Sequence, residues 1–279
     1  TQNIAIMLLL LTAMLAARDV QSAGQLMVSP TRIVFEDGER TKQVNLINNG
    51  AETGRFRISF VRRKMTEDGK FEEVADGETG LFSDEFVRFS PRQVTLQPGQ
   101  SQTVRLMLRK KRDMVNGEYR SHMLFQSLPD PKTSDIGDLA GDSSKGLSVQ
   151  LIPVIGITIP VIIRQGELDS SVTLSEFKIS QANTVRASSV LSLTINRDGN
   201  RSAYGDFRVY FTPQDGAPVT VGQLNGVAVY TPLSKRSVDI RLQTPSGFSL
   251  SNGELHVTYL KPGKDEHTGL LAESRFTIP

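Results

Sequence analysis

The chain has 279 residues, of which 38% are hydrophobic, and a formal net charge of +2 at pH 7. This length is sufficient for two ordinary domains. The hydrophobic fraction suits buried cores and is too low for a multi-span membrane protein. The nearly neutral charge argues against a general nucleic-acid-binding protein, which would carry a basic excess. The absence of Cys excludes a disulfide framework, a thiol nucleophile and Cys-ligated zinc.

The N-terminal segment contains an apolar run at residues 4–15, followed by small residues up to Ala23. Such a run is too short to span a bilayer comfortably and matches the core and cleavage region of a secretory signal peptide. We therefore expect residues 1–23 to be a signal peptide truncated at its N-terminus, and the mature protein to begin near Gly24. The alternative is a buried helix of the mature fold, but the remaining sequence predicts no partner helix for it.

From Gly24 onward, the sequence consists of short alternating, β-branched runs separated by turn residues, which is typical of a β-sandwich. The bounding turns contain Gly or Asn, which tolerate a positive φ, or Pro, which presets φ. The predicted strands are residues 43–47, 56–61, 93–96, 103–108, 119–125, 190–195, 207–211, 238–242, 255–260 and 275–278.

Residues 126–146 are rich in Pro, Gly, Asp and Ser, and we predict a long loop there. Residues 147–163 then predict a strand about three times the usual length. Every residue of one parity in it is apolar: Leu147, Val149, Leu151, Pro153, Ile155, Ile157, Ile159, Val161 and Ile163. A single small sandwich cannot cover a strand of this length, so we expect part of the apolar face to contact something else. The alternative is that the whole face packs inside the first domain.

Residues 164–166 indicate a short hinge, after which the sandwich pattern restarts. The predicted fold class is therefore all-β, with two immunoglobulin-like sandwich domains at residues 24–165 and 166–279. The sequence shows no repeat strong enough to indicate duplication of one domain.

The sequence contains no constellation of residues that would indicate an enzyme. His122, His256 and His267 do not have the spacing of a metal site. The carboxylates lie mostly in turns, and we interpret them as solvated. The basic clusters at residues 62–64 and 109–112 lack interleaved aromatic residues, and we interpret them as solvated strand ends and loop. We therefore predict no catalytic residue, no metal and no cofactor.

Several motifs occur in a consistent order over the first 140 residues or so of the mature chain. Residues 30–35 read PTRIVF, residues 48–50 read NNG, and residues 89–105 read FSPRQVTLQPGQSQTVR. Residues 117–120 read GEYR, and residues 159–164 read IPVIIR. In this order and spacing they resemble the periplasmic pilus chaperones of the chaperone–usher pathway. The second domain matches that family only in its strand content.

The resemblance implies that the protein binds pilus or fimbrial subunits in the periplasm and delivers them to an outer-membrane usher. Such a chaperone lends one of its strands to a subunit that lacks its own final strand. The lent segment here would run from Leu147 to about Ile155, with Leu147, Val149, Leu151 and Ile155 as its anchors. No cofactor, no nucleic acid and no membrane insertion of the mature protein are expected.

The resemblance also implies a basic cleft that holds the C-terminal carboxylate of the subunit. Arg32 matches the first-strand Arg of the family, and a guanidinium can grip a carboxylate bidentately. The second cation is usually a Lys in the lent strand, but Thr158 is nearest that position here. Arg120 or Arg164 are the candidate substitutes, and the departure is compatible with a divergent or archaic-type member.

A second interpretation is a structural or adhesive surface protein, in which the sandwiches are modules of a fibre. It predicts a self-complementing strand and polymerisation, whereas a chaperone is expected to be a soluble monomer or a one-to-one complex. An enzyme, for instance a glycan-binding hydrolase, is a residual alternative.

Overall fold

The computed structural model of the protein describes residues 26–129, 154–180, 189–243 and 250–278. Its regular structure is almost entirely β-strand, as the sequence predicts. The strands of the first half are β1 Leu26–Ser29, β2 Ile33–Phe35, β3 Thr41–Asn48, β4 Gly54–Val61, β5 Arg63–Met65, β6 Phe71–Glu73, β7 Val87–Ser90, β8 Gln93–Leu96, β9 Ser101–Leu108, β10 Gly117–Ser127 and β11 Gly156–Gln165. A single 3₁₀ turn, Ser83–Glu85, precedes β7.

Two sheets of the first half pack face to face as a sandwich. Their strand orders are β1-β3-β9-β7 and β2-β11-β10-β4-β8. Burial alternates along β3, so that Val44 and Leu46 point into the core while their neighbours face outward. They pack in one cluster with Phe125 of β10 and Val161 of β11, which belong to the opposite sheet. The shared core makes these two sheets one domain.

The second half forms one seven-stranded sheet that curls so that its two edge strands contact each other. Its strands are β12 Ser170–Ser180, β13 Ser189–Gly199, β14 Ala203–Pro213, β15 Val219–Val229, β16 Lys235–Leu242, β17 Gly253–Leu260 and β18 Leu270–Ile278, and one short helix, α1 Glu266–Gly269, precedes β18. The order is β12-β13-β16-β15-β14-β17-β18. Strands β15 and β16 pair only at Gly222 and Leu242, and a separate core fills the interior.

Strand β11 is buried on both of its faces at Val161–Ile163, which explains the continuous apolar sequence there. Ile159, Val161 and Ile163 lie in the core of the first domain. Ile162, on the opposite face, is also fully buried, and it packs at the junction between the two halves against Tyr230 of the second half. The end of β11 therefore contributes to both the first-domain core and the domain junction.

A hairpin of strands β5 and β6, residues 63–73, extends from the first half onto the second; we call it the strap. Met65 packs in the junction cluster with Ile162 and Tyr230. The backbone N–H of Ser237 donates a hydrogen bond to the carbonyl of Glu67 at 2.7 Å. The strap thus links the two halves beside the junction.

Candidate functional site

A cleft of about 790 Å³ lies between the two halves of the protein. Arg32 and Arg164 line it from the first half, while Arg201 and Lys261 line it from the second. We call this the basic cleft, because these four cations line it and no Asp or Glu is among its described lining residues. Strand β2 pairs in parallel with Val161–Ile163 of β11, which fixes Arg32 and Arg164 at the two ends of the paired segment.

Arg32 lies against aromatic residues of the second half. Its guanidinium carbon lies 4.2 Å from the ring centroid of Tyr204 and 5.5 Å from that of Tyr230, both within the range of a cation–π interaction. The Nε and Nη2 atoms of Arg32 are buried and have no hydrogen-bond partner among the described residues. Buried donors are normally satisfied, so Arg32 has unused capacity for an acceptor.

Arg120, on β10, is the second cation at this point, and only 7% of its surface is exposed. Its guanidinium carbon lies 4.6 Å from the centroid of Tyr230, and its Nη2 donates a long hydrogen bond of 3.4 Å to the carbonyl of Thr231. Its Nε and Nη1 lack partners within the described chain. Burial lowers the pKa of Arg120, and the charge of Arg32 lowers it further. Arg32 and Arg120 are therefore brought together around Tyr230.

Arg164 lines the same cleft, but it already forms ion pairs with two carboxylates. Its Nε lies 3.2 Å from a carboxylate oxygen of Glu118, and its Nη1 bonds Glu36. The side chain of Glu118 is fully buried and also accepts hydrogen bonds from the hydroxyl and the backbone N–H of Ser202, in the second half. This network fixes the two halves against each other and leaves Arg164 with less capacity for a ligand than Arg32 or Arg120.

The junction contains further buried polar groups that the sequence did not indicate. The sequence predicted that residues 62–64 are solvated, but the Nε of Arg63 is buried without a partner in the part of the chain described. His122, on β10, is 1% exposed, and both of its ring nitrogens lack partners there. Burial, with smaller contributions from Arg120 and Arg63, lowers the pKa of His122 to about 3. The ring of Phe71, from the strap, packs edge-on against it at 4.8 Å.

The segment that the sequence predicts to be lent lies mostly outside the described residues, and Leu147, Val149 and Leu151 are among the residues not described. At the start of the next described range, Val154 and Ile155 are 52% and 57% exposed. Ile155 is held to β10 through the hydroxyl of Ser127, which accepts its backbone N–H at 3.0 Å. The exposed residues Val154 and Ile155 lead directly into Gly156, the first residue of β11.

The outer edge of β11 has no strand partner over half of its length, counting the strands that the structure describes. One edge pairs with β10 from Gly156 to Gln165, whereas β2 covers the other edge only at Val161–Ile163. For 156–160 the second edge has no strand partner among the residues that the structure describes. Pro160, which cannot donate a ladder hydrogen bond, lies in this stretch, as is usual for edge strands. An open edge of this kind can accept a further strand.

Neither a metal centre nor a membrane span is found in the described ranges. They contain no group of three or more His, Cys, Asp or Glu residues placed to hold a metal ion. No helix in these ranges is long and apolar enough to cross a membrane.

No protein-family model and no curated protein matches the chain. The solved structures that it resembles include chaperones of pili and fimbriae. One is a chain of the chaperone–tip adhesin complex of CFA/I fimbriae biogenesis, with 14% identity, 91% of this chain and 99% of that chain covered, and a TM-score of 0.43.

Two further structures have the same TM-score of 0.43 and 11% identity. A chain of the CsuC–CsuE chaperone–tip adhesion subunit complex of Acinetobacter baumannii matches with 91% of this chain and 99% of that chain covered. A chain of the SafA pilin–SafB chaperone complex of Salmonella enterica matches with 93% and 99% covered. At these identities and TM-scores, the roles of those proteins do not transfer to this chain.

Proposed function

We propose that the protein is a periplasmic chaperone that binds pilus or fimbrial subunits by lending them a strand, and delivers them to an outer-membrane usher. In this proposal residues 1–23 direct export, residues 24–165 form the strand-lending domain and residues 166–279 form the second sandwich. The protein acts as a binding partner, and no catalytic step is assigned to it.

The observation that carries the proposal is the open edge of β11. The backbone groups of 156–160 that point away from β10 can pair with a strand of another chain, since no described strand covers that edge. A soluble protein ordinarily protects such an edge, because it invites pairing with other chains. An edge left open beside exposed Val154 and Ile155 is suited to addition of a strand from a partner.

The apolar residues that precede β11 are proposed to fit the groove of a subunit that lacks its final strand. Leu147, Val149, Leu151 and Ile155 share one parity of the sequence and would insert into successive pockets of the subunit. Each large aliphatic side chain contributes roughly 1.5–3 kcal/mol when fully buried, before the cost of ordering the segment. Three or four such anchors would hold a subunit firmly.

Arg32 and Arg120 supply the anchor for the C-terminal carboxylate of the subunit in this proposal. Both are partly or largely buried, both retain unpaired N–H groups, and both contact the ring of Tyr230. A carboxylate that accepted hydrogen bonds from them would satisfy donors that have no acceptor in the described protein. Arg164 has a supporting role, because Glu118 and Glu36 already bind it.

Co-secretion with a pilus subunit from the same organism tests the proposal. We expect a soluble one-to-one complex by size-exclusion chromatography with light scattering, and degradation or aggregation of the subunit when it is expressed alone. The fibre-module interpretation predicts instead that the protein polymerises by itself. Polymers of the purified protein, with no effect on the subunit, would contradict the chaperone proposal.

A further inference from the structure

The basic cleft carries more positive charge than one terminal carboxylate can neutralise. Of its four cations, Arg164 is already paired with Glu118 and Glu36. Arg32, Arg201 and Lys261 have no ion-pair partner in the described ranges, and the cleft lining includes no acidic side chain. A single carboxylate bound at Arg32 therefore leaves two cations facing the same cleft without a counter-charge.

Arg201 and Lys261 line the basic cleft from the second half, whereas Arg32 lines it from the first. Arg201 comes just before β14 and Lys261 just after β17, and these strands pair side by side. The backbone of each is fixed, since the N–H of Arg201 bonds the carbonyl of Asp169 at 3.0 Å and that of Lys261 bonds the carbonyl of Gly269 at 2.8 Å. Their backbone positions are thus set by the scaffold. Arg201 is half-buried and Lys261 is exposed, and neither side chain has a hydrogen-bond or ion-pair partner among the described residues.

We infer that the basic cleft selects a peptide end that carries two negative charges, with the α-carboxylate at Arg32 and an acidic side chain of the last few residues at Arg201 and Lys261. This inference rests on the proposed function, and it names the class of subunit that the protein serves. Cations on both walls of a cleft concentrate the field within it, so a dianionic end is favoured over a monoanionic one. Salt weakens the preference, because Lys261 is exposed and its charge is screened.

Three synthetic peptides with one alternating apolar body test the inference. The first ends in a neutral residue with a free carboxylate, the second has Glu before the free C-terminal residue, and the third is the neutral peptide with an amidated end. Binding is measured by fluorescence anisotropy at 50 mM and 200 mM salt. We expect the acidic peptide to bind the wild-type protein about three- to tenfold more tightly than the neutral one at low salt, with a smaller ratio at high salt.

The variant Arg201→Ala plus Lys261→Ala removes the proposed second contact. We expect it to bind the acidic and neutral peptides equally, while both still bind better than the amidated peptide. The control Lys235→Ala plus Arg241→Ala removes the same charge from exposed positions on β16 and is expected to keep the preference.

The outcomes separate this inference from the proposed function. Equal binding of acidic and neutral peptides to the wild-type protein, with amidation still harmful, overturns the inference alone. An acidic preference that survives in the Arg201 and Lys261 variant also overturns it. No effect of amidation, or no binding of any peptide, overturns the carboxylate anchor and with it the basis of the inference.

Discussion

The guanidinium of Arg32 lies on the ring of Tyr204, 4.2 Å from carbon to centroid, so that a cation of the first half rests on an aromatic face of the second. A cation–π contact of this kind is worth about 0.5–2 kcal/mol and orients the guanidinium without occupying its N–H groups. The Nε and Nη2 donors of Arg32, which have no partner among the described residues, are therefore positioned for a ligand. This combination is the physical basis of the proposed carboxylate anchor.

Arg32→Ala is expected to abolish capture of a pilus subunit and leave the melting temperature within a few degrees of wild type. The loss of one buried charge-assisted contact costs about 2–5 kcal/mol of binding free energy. Arg32→Lys is expected to recover only part of the binding, because an ammonium cannot form the bidentate contact. Arg88→Ala, an exposed Arg on β7, serves as the control. Wild-type yield of the complex with Arg32→Ala would show that the anchor lies elsewhere.

The double substitution Leu147→Ser plus Leu151→Ser tests the lent segment. If these side chains are held for a partner, their loss is expected to remove subunit binding and change the melting temperature by only a few degrees. Thermal unfolding and co-purification are measured on the same preparations. A large drop in melting temperature would place both residues in the core of the first domain, where each Leu→Ala costs about 2–5 kcal/mol.

Ile159→Ser is the contrasting variant on the same strand face. Ile159 is 2% exposed and belongs to the first-domain core, so we expect this substitution to unfold or strongly destabilise the domain. Ile157 is only partly buried against that core, and Ile157→Ser is expected to cost less. The graded loss of stability along β11 would mark where the core ends and the lent segment begins.

Gly69→Ala tests the docking of the strap on the second half. Gly69 has φ +78°, and a Cβ there would clash with the guanidinium of Arg236, whose Nη1 donates a hydrogen bond to the carbonyl of Ala228. Gly77 has a similar φ of +83° with no atom within 4 Å of its virtual Cβ. Both substitutions cost the strain of the left-handed region, about 1–2 kcal/mol. We expect Gly69→Ala to cost more than Gly77→Ala in chemical unfolding and to increase proteolysis within the strap. Equal costs would show that the guanidinium of Arg236 moves aside without loss of stability, and would contradict this prediction.

His122 makes the stability of the protein dependent on pH. Its pKa is about 3 in the folded protein and about 6.5 when unfolded. The unfolded chain therefore gains a proton below pH 6.5, while folded His122 stays neutral until about pH 3. The stability that neutral His122 contributes is fully present above pH 6.5 and is lost as the pH falls toward 3, by up to about 1.4 kcal/mol per unit.

Urea unfolding of the wild type and His122→Gln between pH 7 and pH 4 measures this effect. The stability of the wild type is expected to fall more steeply with decreasing pH than that of His122→Gln. His267→Gln, at an exposed position, is expected to follow the wild type. Parallel curves for the wild type and His122→Gln would contradict the burial of a neutral imidazole.

The fold was largely predictable, because alternating apolar and polar residues bounded by turn residues indicate the strands of a sheet with one buried face. All ten strands predicted from alternation are present. Strands β1, β2, β5, β6 and β7 are not among those ten, because each is only three or four residues long. Strands β12 and β15 were also missed: a register shift between Ser175 and Lys178 interrupts the alternation of β12, and β15 contains several Gly and polar residues. The apolar face of β11 was predicted from its alternation. The burial of Ile162, on the opposite face, could not be predicted because it depends on contacts with the second half.

The candidate site was predictable only in part, because its electrostatics depend on contacts between distant segments. The prediction singled out Arg32, Arg120 and Arg164 from motifs, but no pattern in the sequence indicated that Glu118 pairs with Arg164. The sequence also gave no signal for Arg201 or Lys261, which reach the basic cleft from the ends of separate strands. Arg63 was interpreted as solvated, since the position of the strap over the junction cannot be derived from local sequence.

Hydrogen exchange along residues 154–160, in the free protein and in its complex with a pilus subunit, tests strand lending most directly. Amides on an unpaired strand edge exchange rapidly, and they become protected when a strand pairs with them. We predict fast exchange of part of this segment in the free protein and strong protection in the complex, with no comparable change in β16. Unchanged exchange in this segment when a one-to-one complex forms would contradict the proposal that the subunit adds to the open edge of β11.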